Sequence, residues 1–501
     1  MRTYILSIHQ RTAGTWAVLL DHNADVMSFA YANITQHFPQ IGWVEHDANE
    51  IWRVSLQVVV DALQNGRISP EQIDAIGITN QRDTTVFWNK NTGEPVGRAI
   101  VWQDQRTLPL CEQLIAEDKI NIETRTGMVI VPDVTATKIR WLMDNDQAIQ
   151  KGIARHEVLC GTIDSWLIWK LSKGAVHVTD HSNASLTLLM NANLLTYDDE
   201  MLNRLEIPRE ILPELRRSSD IYAYTDPDSF LGVRVPIGGA AGDQQIAALG
   251  QACVSPGMAK NTYSTGSFVL LNTGNQYIPP GGGLFSPVLW TVGESVVYGM
   301  EGKADVAGDA ITWLQDGLGI IRDAGEAEGM ATQVADTQGV YFVPPFGGSD
   351  LIRTGIGSYA RGAIFGVTRG INKFHIVRAA FEALAYQTRD FIEVIKKREP
   401  NRVPQILRVD GQIAKSDFLL QFQADLLGIP VERPVFTNTA ALGAAYLAGL
   451  AIGYWGTIDE VAACWKRDRY FEPRMSEEHR EELYFGWQKA VQRVKSSYHS
   501  V

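Results

Sequence analysis

Cysteine is nearly absent. Cys111, Cys160, Cys253 and Cys464 are the four in 501 residues, they stand far apart, and none forms a CxxC pair. Neither a disulfide framework nor a thiolate zinc site is expected from that spacing. Free structural thiols in a reducing, cytoplasmic compartment are. Long apolar runs are missing too: no stretch approaches the ~18 uninterrupted residues of a membrane span. The apolar run near the start, Tyr4 to Ile8, is too short for a signal peptide. Positive charge is in deficit, with 45 Lys and Arg against 57 Asp and Glu and a net charge of −12. That balance excludes a generally basic nucleic-acid binder and argues against an anionic membrane surface as partner. It leaves room for phosphate ligands, because a local site can oppose the global charge.

Several chemical signatures are missing as well. There is no GxSxG, no HExxH and no GK[ST], so hydrolase, zincin and phosphate-loop readings find no support. Gly281-Gly282-Gly283 follows Pro279-Pro280 and reads as a surface loop, and Gly355-x-Gly357 is a lone fragment. His177 and His181 flank Val178-Thr179-Asp180, which looks extended rather than helical, so both are expected to be ordinary surface histidines. No low-complexity segment occurs.

What remains is an ordinary globular composition, 45% apolar and 9% aromatic, in a chain long enough for more than one domain. Tyr4–Ile8 and Trp16–Leu20 read as a hairpin joined by a polar loop from His9 to Thr15, and Asp21–Asp25 as a second turn. Asn49–Asn65 has helical spacing, and Ala75–Thr79 is a short buried-type strand ending in Asn80-Gln81-Arg82-Asp83. A similar order returns later. Met258–Ser264 and Ser267–Leu271 flank Thr265-Gly266, Lys373–Lys397 is helical, and Gln405–Val409 is a strand ending in Asp410-Gly411. Two related α/β halves with a cleft between them follow, with Gln251–Gly257 as the junction. Residues from about Tyr454 to Val501 read as a charged helical tail anchored by Trp465 and Trp487.

Open α/β sheets bind ligands beyond the carboxyl ends of their strands. Three polar loops fit that position: Asn80–Thr85, Trp102–Thr107 and Gly242–Gln245. Arg and carboxylate groups beside tryptophan suit a small polyhydroxylated ligand, the charges bonding hydroxyls and the ring covering carbon.

These residues carry a family resemblance. Gly77-Ile78-Thr79-Asn80-Gln81-Arg82, Ala99-Ile100-Val101-Trp102-Gln103-Asp104, Gly161-Thr162-Ile163-Asp164, Ala241-Gly242-Asp243-Gln244-Gln245, Ala360-Arg361-Gly362 and Ala441-Leu442-Gly443-Ala444-Ala445 occur in family order. The chain resembles, over nearly its whole length, the glycerol kinases of the FGGY carbohydrate kinases within the actin-like ATPase superfamily. The resemblance implies an α/β fold of two actin-like (ribonuclease H-like) domains with an interdomain cleft. Residues 1–250 would be the polyol-side domain, 251–455 the nucleotide-side domain, and 456–501 a helical tail packed on the latter. It implies ATP and Mg²⁺ as cofactors, a small polyol as partner and substrate, and a homo-oligomer, dimer or tetramer. Arg82, Asp83, Trp102, Asp133, Asp243, Gln244 and Phe268 would line the polyol pocket, with Asp243 as general base. Thr12, Thr265, Gly266, Gly308, Gly411 and Gln412 would lie on the nucleotide. No residue is assigned as a metal ligand.

The departures from the family fall on the same loops. The family's first loop, Asp-Gln-Gly-Thr-Thr-Ser-Ser-Arg, is here His9-Gln10-Arg11-Thr12-Ala13-Gly14-Thr15-Trp16. His9 replaces the carboxylate of the Mg²⁺ site, Arg11 a glycine at the phosphates, and Trp16 an arginine. Gln412 replaces glycine at the adenine site, Ser264 a glycine before Thr265, Asp83 a glutamate and Asp133 a tyrosine of the polyol wall. Ser349–Gly357 takes the place of the family's Ala-Pro-Tyr-Trp segment. These substitutions predict impaired or lost ATP phosphotransfer, a pseudokinase with a ligand-binding or regulatory role. The alternative is an active ATP-dependent kinase on glycerol or a related small polyol.

Overall fold

A computed structural model describes residues 3–344 and 361–496. Gly355, Gly357 and the Ser349–Gly357 segment lie outside the described residues. Strand Tyr4–Gln10 turns back into Gly14–Leu20 through Arg11–Ala13 alone, closed by Arg11 N–H on the Gly14 carbonyl at 2.8 Å. The turn is thus tighter than the expected loop from His9 to Thr15. His9 and Trp16 face each other across the two strands instead of lying in it. The Asp21 carboxylate accepts from the amides of Asn23 and Asp25 and makes the second turn.

Helix Ala48–Gly66 begins where the Asp47 side chain accepts from the Asn49 and Glu50 amides. Ile51, Val58, Val59 and Ala62 form its buried stripe. Strands Ile73–Asn80 and Pro236–Gly242 then pair parallel, with Ile73–Asn80 also parallel to Tyr4–Gln10. In the second half, Ala259–Tyr263 and Ser267–Gly274 form the expected hairpin, and helix Lys373–Arg398 starts at an Asn372 cap. Leu407–Asp410 pairs parallel with Ala259–Tyr263.

One thirteen-stranded sheet runs through both halves, joined where Ser219 of Ser219–Tyr224 pairs with Val292 of Val288–Val292. The halves also interlock. Helix Thr439–Ile452, from late in the chain, packs on the first half's sheet and on helix Asp243–Gly250. The approach is backbone to backbone. A Cβ on Gly77 would strike the Ala444 carbonyl, and one on Gly443 the Ile246 carbonyl.

The tail corrects the sequence reading in one respect. Helices Ile458–Ala463 and Glu477–Ser496 are separated by strand Arg467–Phe471, which pairs with Val431–Pro434 at the sheet edge. Trp487 is buried and stacks on Tyr386 at 5.3 Å. Trp465 lies under the Arg408 guanidinium, 4.0 Å away. The histidine reading also needs correction. His177 stands edge-on to Trp88 and bonds the Cys160 carbonyl at 3.0 Å, and burial lowers its pKa to about 4. His181 bonds Thr291 Oγ1 at 3.1 Å. Neither is a free surface group. No helix among the described residues is long and apolar enough to cross a membrane.

Candidate active site

Parallel register sets three strand ends level. Gln10 pairs with Asn80, and Asn80 with Gly242. The next residues of each strand, Arg11, Gln81 and Asp243, therefore emerge side by side on one rim. Gln81 donates to the Gln10 side chain at 2.9 Å and ties two of the loops together. Across the cleft, the Ser264-Thr265-Gly266 turn closes with Ser264 N–H on the Gly266 carbonyl at 2.8 Å. Gly411 sits beside this turn at φ +92°, and a Cβ there would strike the Tyr263 carbonyl.

A cavity between these rims is lined by Arg82, Asp83, Trp102, Asp133, Asp243, Gln244 and Phe268. Arg82 is buried and makes a bidentate bond to Glu301, both contacts 2.6 Å, while its Nε lies 3.6 Å from Asp243. Burial disfavours the Arg82 cation, but Glu301 outweighs it and holds the guanidinium charged. Burial raises the Asp243 pKa, against the opposing charges of Arg82, Lys260 and Arg11. An upward shift is the direction in which a carboxylate general base is tuned. Lys260 is fully buried beneath the site and donates to Gln244 Oε1 at 2.8 Å. Asp83 adopts φ +63°, rare for a side chain other than Gly or Asn, and burial brings its pKa up to about 7.

Trp102 is fixed from both sides. Its indole N–H donates to Thr12 Oγ1 at 2.8 Å, and its ring meets Phe268 edge-on at 6.5 Å. Thr12 thus accepts from the polyol-side wall through its hydroxyl oxygen and lines the same cavity as Ser264, Thr265 and Gln412. In the Trp102–Thr107 loop only Trp102 reaches the cavity. Asp104 and Arg106 bond each other, and Arg106 stacks on Trp43 at 3.7 Å, so this pair is structural.

Glu301, Lys303 and Asp305 were not singled out from sequence. Lys303 bonds Asp133 and, at 2.6 Å, Asp305, with its ammonium 4.4 Å from the Trp102 ring. Burial opposes the Lys303 charge, but the two carboxylates raise its pKa well above the ordinary value. Asp133 is therefore half of an ion pair inside the pocket wall. The signal for these residues is their alternation. Glu301 and Lys303 share one face of strand Ser295–Ala304, while Gly302 on the other meets Phe391.

Thr265, Gly308, Gln412 and Ser264 line a second cavity, next to the first and continuous with it through Ser264, Thr265 and Gln412. Gly266 forms the turn and Gly411 packs against Tyr263. The substituted first loop behaves differently from a metal-binding one. His9 is 4% exposed, and its ring bonds Asn438 Oδ1 through Nδ1 at 2.7 Å. Burial, helped by Arg11, lowers its pKa to about 3, so it is neutral at pH 7. Trp16 packs between Phe29 and Tyr31, with ring centres 5.5 and 5.0 Å away, and brings no charge to the cleft. Arg11 reaches across it and donates to Ser264 Oγ at 2.7 Å. Among the described residues no group of three or more His, Cys, Asp or Glu is placed to hold a metal ion. A neutral imidazole and a guanidinium do not fit a Mg²⁺ site, which wants anionic oxygen.

With this geometry established, comparisons place the chain among known proteins. A model of the FGGY family of carbohydrate kinases, N-terminal domain, matches residues 4–250, and one of the C-terminal domain matches residues 259–452. Glycerol kinase of Geobacillus sp. is 49% identical over 497 residues, covering 98% of this chain and 99% of the relative. Glycerol kinase 2 of Thermotoga maritima is 49% identical over 98% of each chain. Among solved structures, Plasmodium falciparum glycerol kinase with ADP matches with TM-score 0.88 and 33% identity over 98% of each chain. Gluconate kinase from Lactobacillus acidophilus, at TM-score 0.85 and 21% identity, shares the fold.

Proposed function

Because the chain belongs to the FGGY family of carbohydrate kinases, we propose that it transfers the terminal phosphoryl group of ATP to a hydroxyl of glycerol or a related small polyol. The observation that carries this reading is Asp243. Its carboxylate stands where the three strand ends converge, between the Arg82–Glu301 pair and the Thr265-Gly266 turn, with its pKa raised. The similarity to proteins named glycerol kinase supports an active enzyme over a pseudokinase.

In this reading the substrate hydroxyl bonds Asp243, which takes its proton as the oxygen attacks the phosphorus. The bond to the ADP oxygen breaks and ADP departs. Arg82, oriented by Glu301, and Asp83 bond the remaining hydroxyls, and Trp102 and Phe268 cover the carbon face. Gln244 is held towards the cavity by Lys260. Thr265, Gly266, Gly308, Gly411 and Gln412 form the nucleotide side. Glycerol kinases of this family use ATP and Mg²⁺. Here no step is assigned to a metal.

The test is polyol-dependent ADP release across three- to five-carbon polyols, with wild type and Asp243→Asn. Turnover with at least one polyol, lost in Asp243→Asn, is the expected result. No turnover with any polyol, or an Asp243→Asn variant as active as wild type, overturns the reading.

A further inference from the structure

Three cations face the central cavity among the described residues: Arg82, Lys303 and Arg11. Two are neutralised in place. Arg82 has Glu301 and Lys303 has Asp133 and Asp305. Arg11 has no carboxylate within 4.0 Å among the described residues, and its guanidinium is held by a neutral hydroxyl, Ser264 Oγ, at 2.7 Å. An unmatched guanidinium in the cleft of a protein of net charge −12 is a standing anion site.

Its place narrows the anion. Arg11 follows the strand end level with Asp243, and its charge reaches the Asp243 carboxylate. It spans the cleft to the turn that holds Thr265 and Gly266. Beside it the buried position that faces Asn438 carries a neutral imidazole, His9, so no carboxylate there attracts a divalent cation. At that position the chain offers a divalent cation no anionic ligand, while Arg11 offers phosphate oxygens a guanidinium with no direct carboxylate partner among the described residues.

We infer that Arg11 binds the terminal phosphoryl group of the nucleotide directly, through its guanidinium fork, in a complex that needs no divalent cation. This rests on the kinase reading for the identity of the ligand. The Ser264 hydroxyl holds the fork in position across the empty cleft and yields to phosphate oxygens, which are stronger, charged acceptors. Arg11 then supplies positive charge to the transferring group next to the proton acceptor.

Calorimetric titration of the full chain with ATP, ADP and inorganic phosphate, in EDTA and in Mg²⁺, tests this. Wild type is expected to bind ATP in EDTA within about threefold of its affinity in Mg²⁺. Arg11→Ala should weaken ATP in EDTA by about 10- to 100-fold, the range of charge-assisted hydrogen bonds, with a far smaller effect on ADP. Arg11→Lys should fall between them. Arg11→Gln, a close match in shape, carries the same test if Arg11→Ala does not fold. ATP binding that appears only with Mg²⁺ overturns the inference, as does an Arg11 variant that binds ATP in EDTA as tightly as wild type. An ADP loss equal to the ATP loss overturns the terminal-phosphate assignment, and phosphate binding alone would reduce Arg11 to a general anion site. ATP binding through Arg11 without turnover of any polyol would instead refute the kinase reading and leave this inference standing.

Discussion

Replacing Lys303 by Met should expose how the pocket wall is held together. The Lys303 side chain is 3% exposed and is wedged between Asp133, 11% exposed, and Asp305, 16% exposed. At an effective dielectric constant of 20 and a separation of ~3 Å, each pair attracts by ~5 kcal/mol before desolvation is counted. Removing one member of such a buried pair leaves uncompensated charge and typically costs ~3–5 kcal/mol. Two carboxylates then face each other, and the cheapest relief is to protonate one of them, which raises its folded-state pKa. A carboxylate whose pKa is raised by folding loses stability as pH rises above its unfolded value of about 3.9, by ~1.4 kcal/mol per unit until the folded pKa is passed. The deficit of Lys303→Met should therefore be ~3–5 kcal/mol at pH 8 and shrink to about 1–2 kcal/mol at pH 5. Adding Asp133→Tyr removes the stranded charge and should recover at least about 2 kcal/mol, a coupling that Asp133→Tyr alone does not show. Urea unfolding of the four proteins at both pH values measures these differences. A Lys303→Met deficit below about 1 kcal/mol at pH 8, or one equal at the two pH values, refutes the view that this ion pair builds the wall.

Other expectations follow from the same geometry. Because burial raises the Asp243 pKa, kcat/KM should fall with decreasing pH through a midpoint above the ordinary carboxylate value, and a profile flat down to pH 4 would remove Asp243 as the base. Asp243→Asn should lower kcat by about 10²–10⁴ while leaving the thermal midpoint of the protein nearly unchanged. His9, held neutral with a pKa of about 3, withdraws stability as pH falls below its unfolded value near 6.5. By pH 5 its share is ~2 kcal/mol, so His9→Asn should show a smaller drop in unfolding free energy between pH 7 and pH 5 than wild type. Gly411→Ala introduces a Cβ against the Tyr263 carbonyl at a left-handed backbone position. It should cost about 1–3 kcal/mol in urea unfolding and weaken nucleotide more than polyol in binding titrations.

Much of the site was legible from residues whose chemistry is concentrated in one loop. Arg82 and Asp83 follow a strand directly, and Asp243 and Gln244 open a helix at a strand end, so local sequence already put them on one rim. Trp102 was found for the same reason, but its loop companions Asp104 and Arg106 were not separable from it. Only the fold shows that Arg106 stacks on Trp43, away from the cavity. Glu301 and Lys303 stayed hidden because a charged pair within a strand resembles a solvated face. Their partners, Arg82 and Asp133, lie 219 and 170 residues away. The roles of His9 and Arg11 needed coordinates too, since both depend on partners across the cleft, Asn438 and Ser264. The two-half architecture was readable from repeated order. The strand within the tail was not, because Arg467–Phe471 carries the charges of an exposed sheet edge.

The late helix Thr439–Ile452 bears on how the chain is made. The first half's sheet is finished by residue 242, yet the face around Gly77 that this helix covers stays bare until some two hundred further residues have left the ribosome. At ~5–20 residues per second that is a wait of roughly 10–40 s. Throughout it, a surface built for backbone-close packing lies open to water and to other chains. The glycines on the sheet side of this contact, Gly77, Gly238 and Gly239, permit so tight an eventual fit and also make that waiting face a poor adhesive, offering little side-chain bulk for a wrong partner to grip. A fragment ending near residue 250 would keep that face open permanently, so the two halves form one unit of synthesis and are not separable modules.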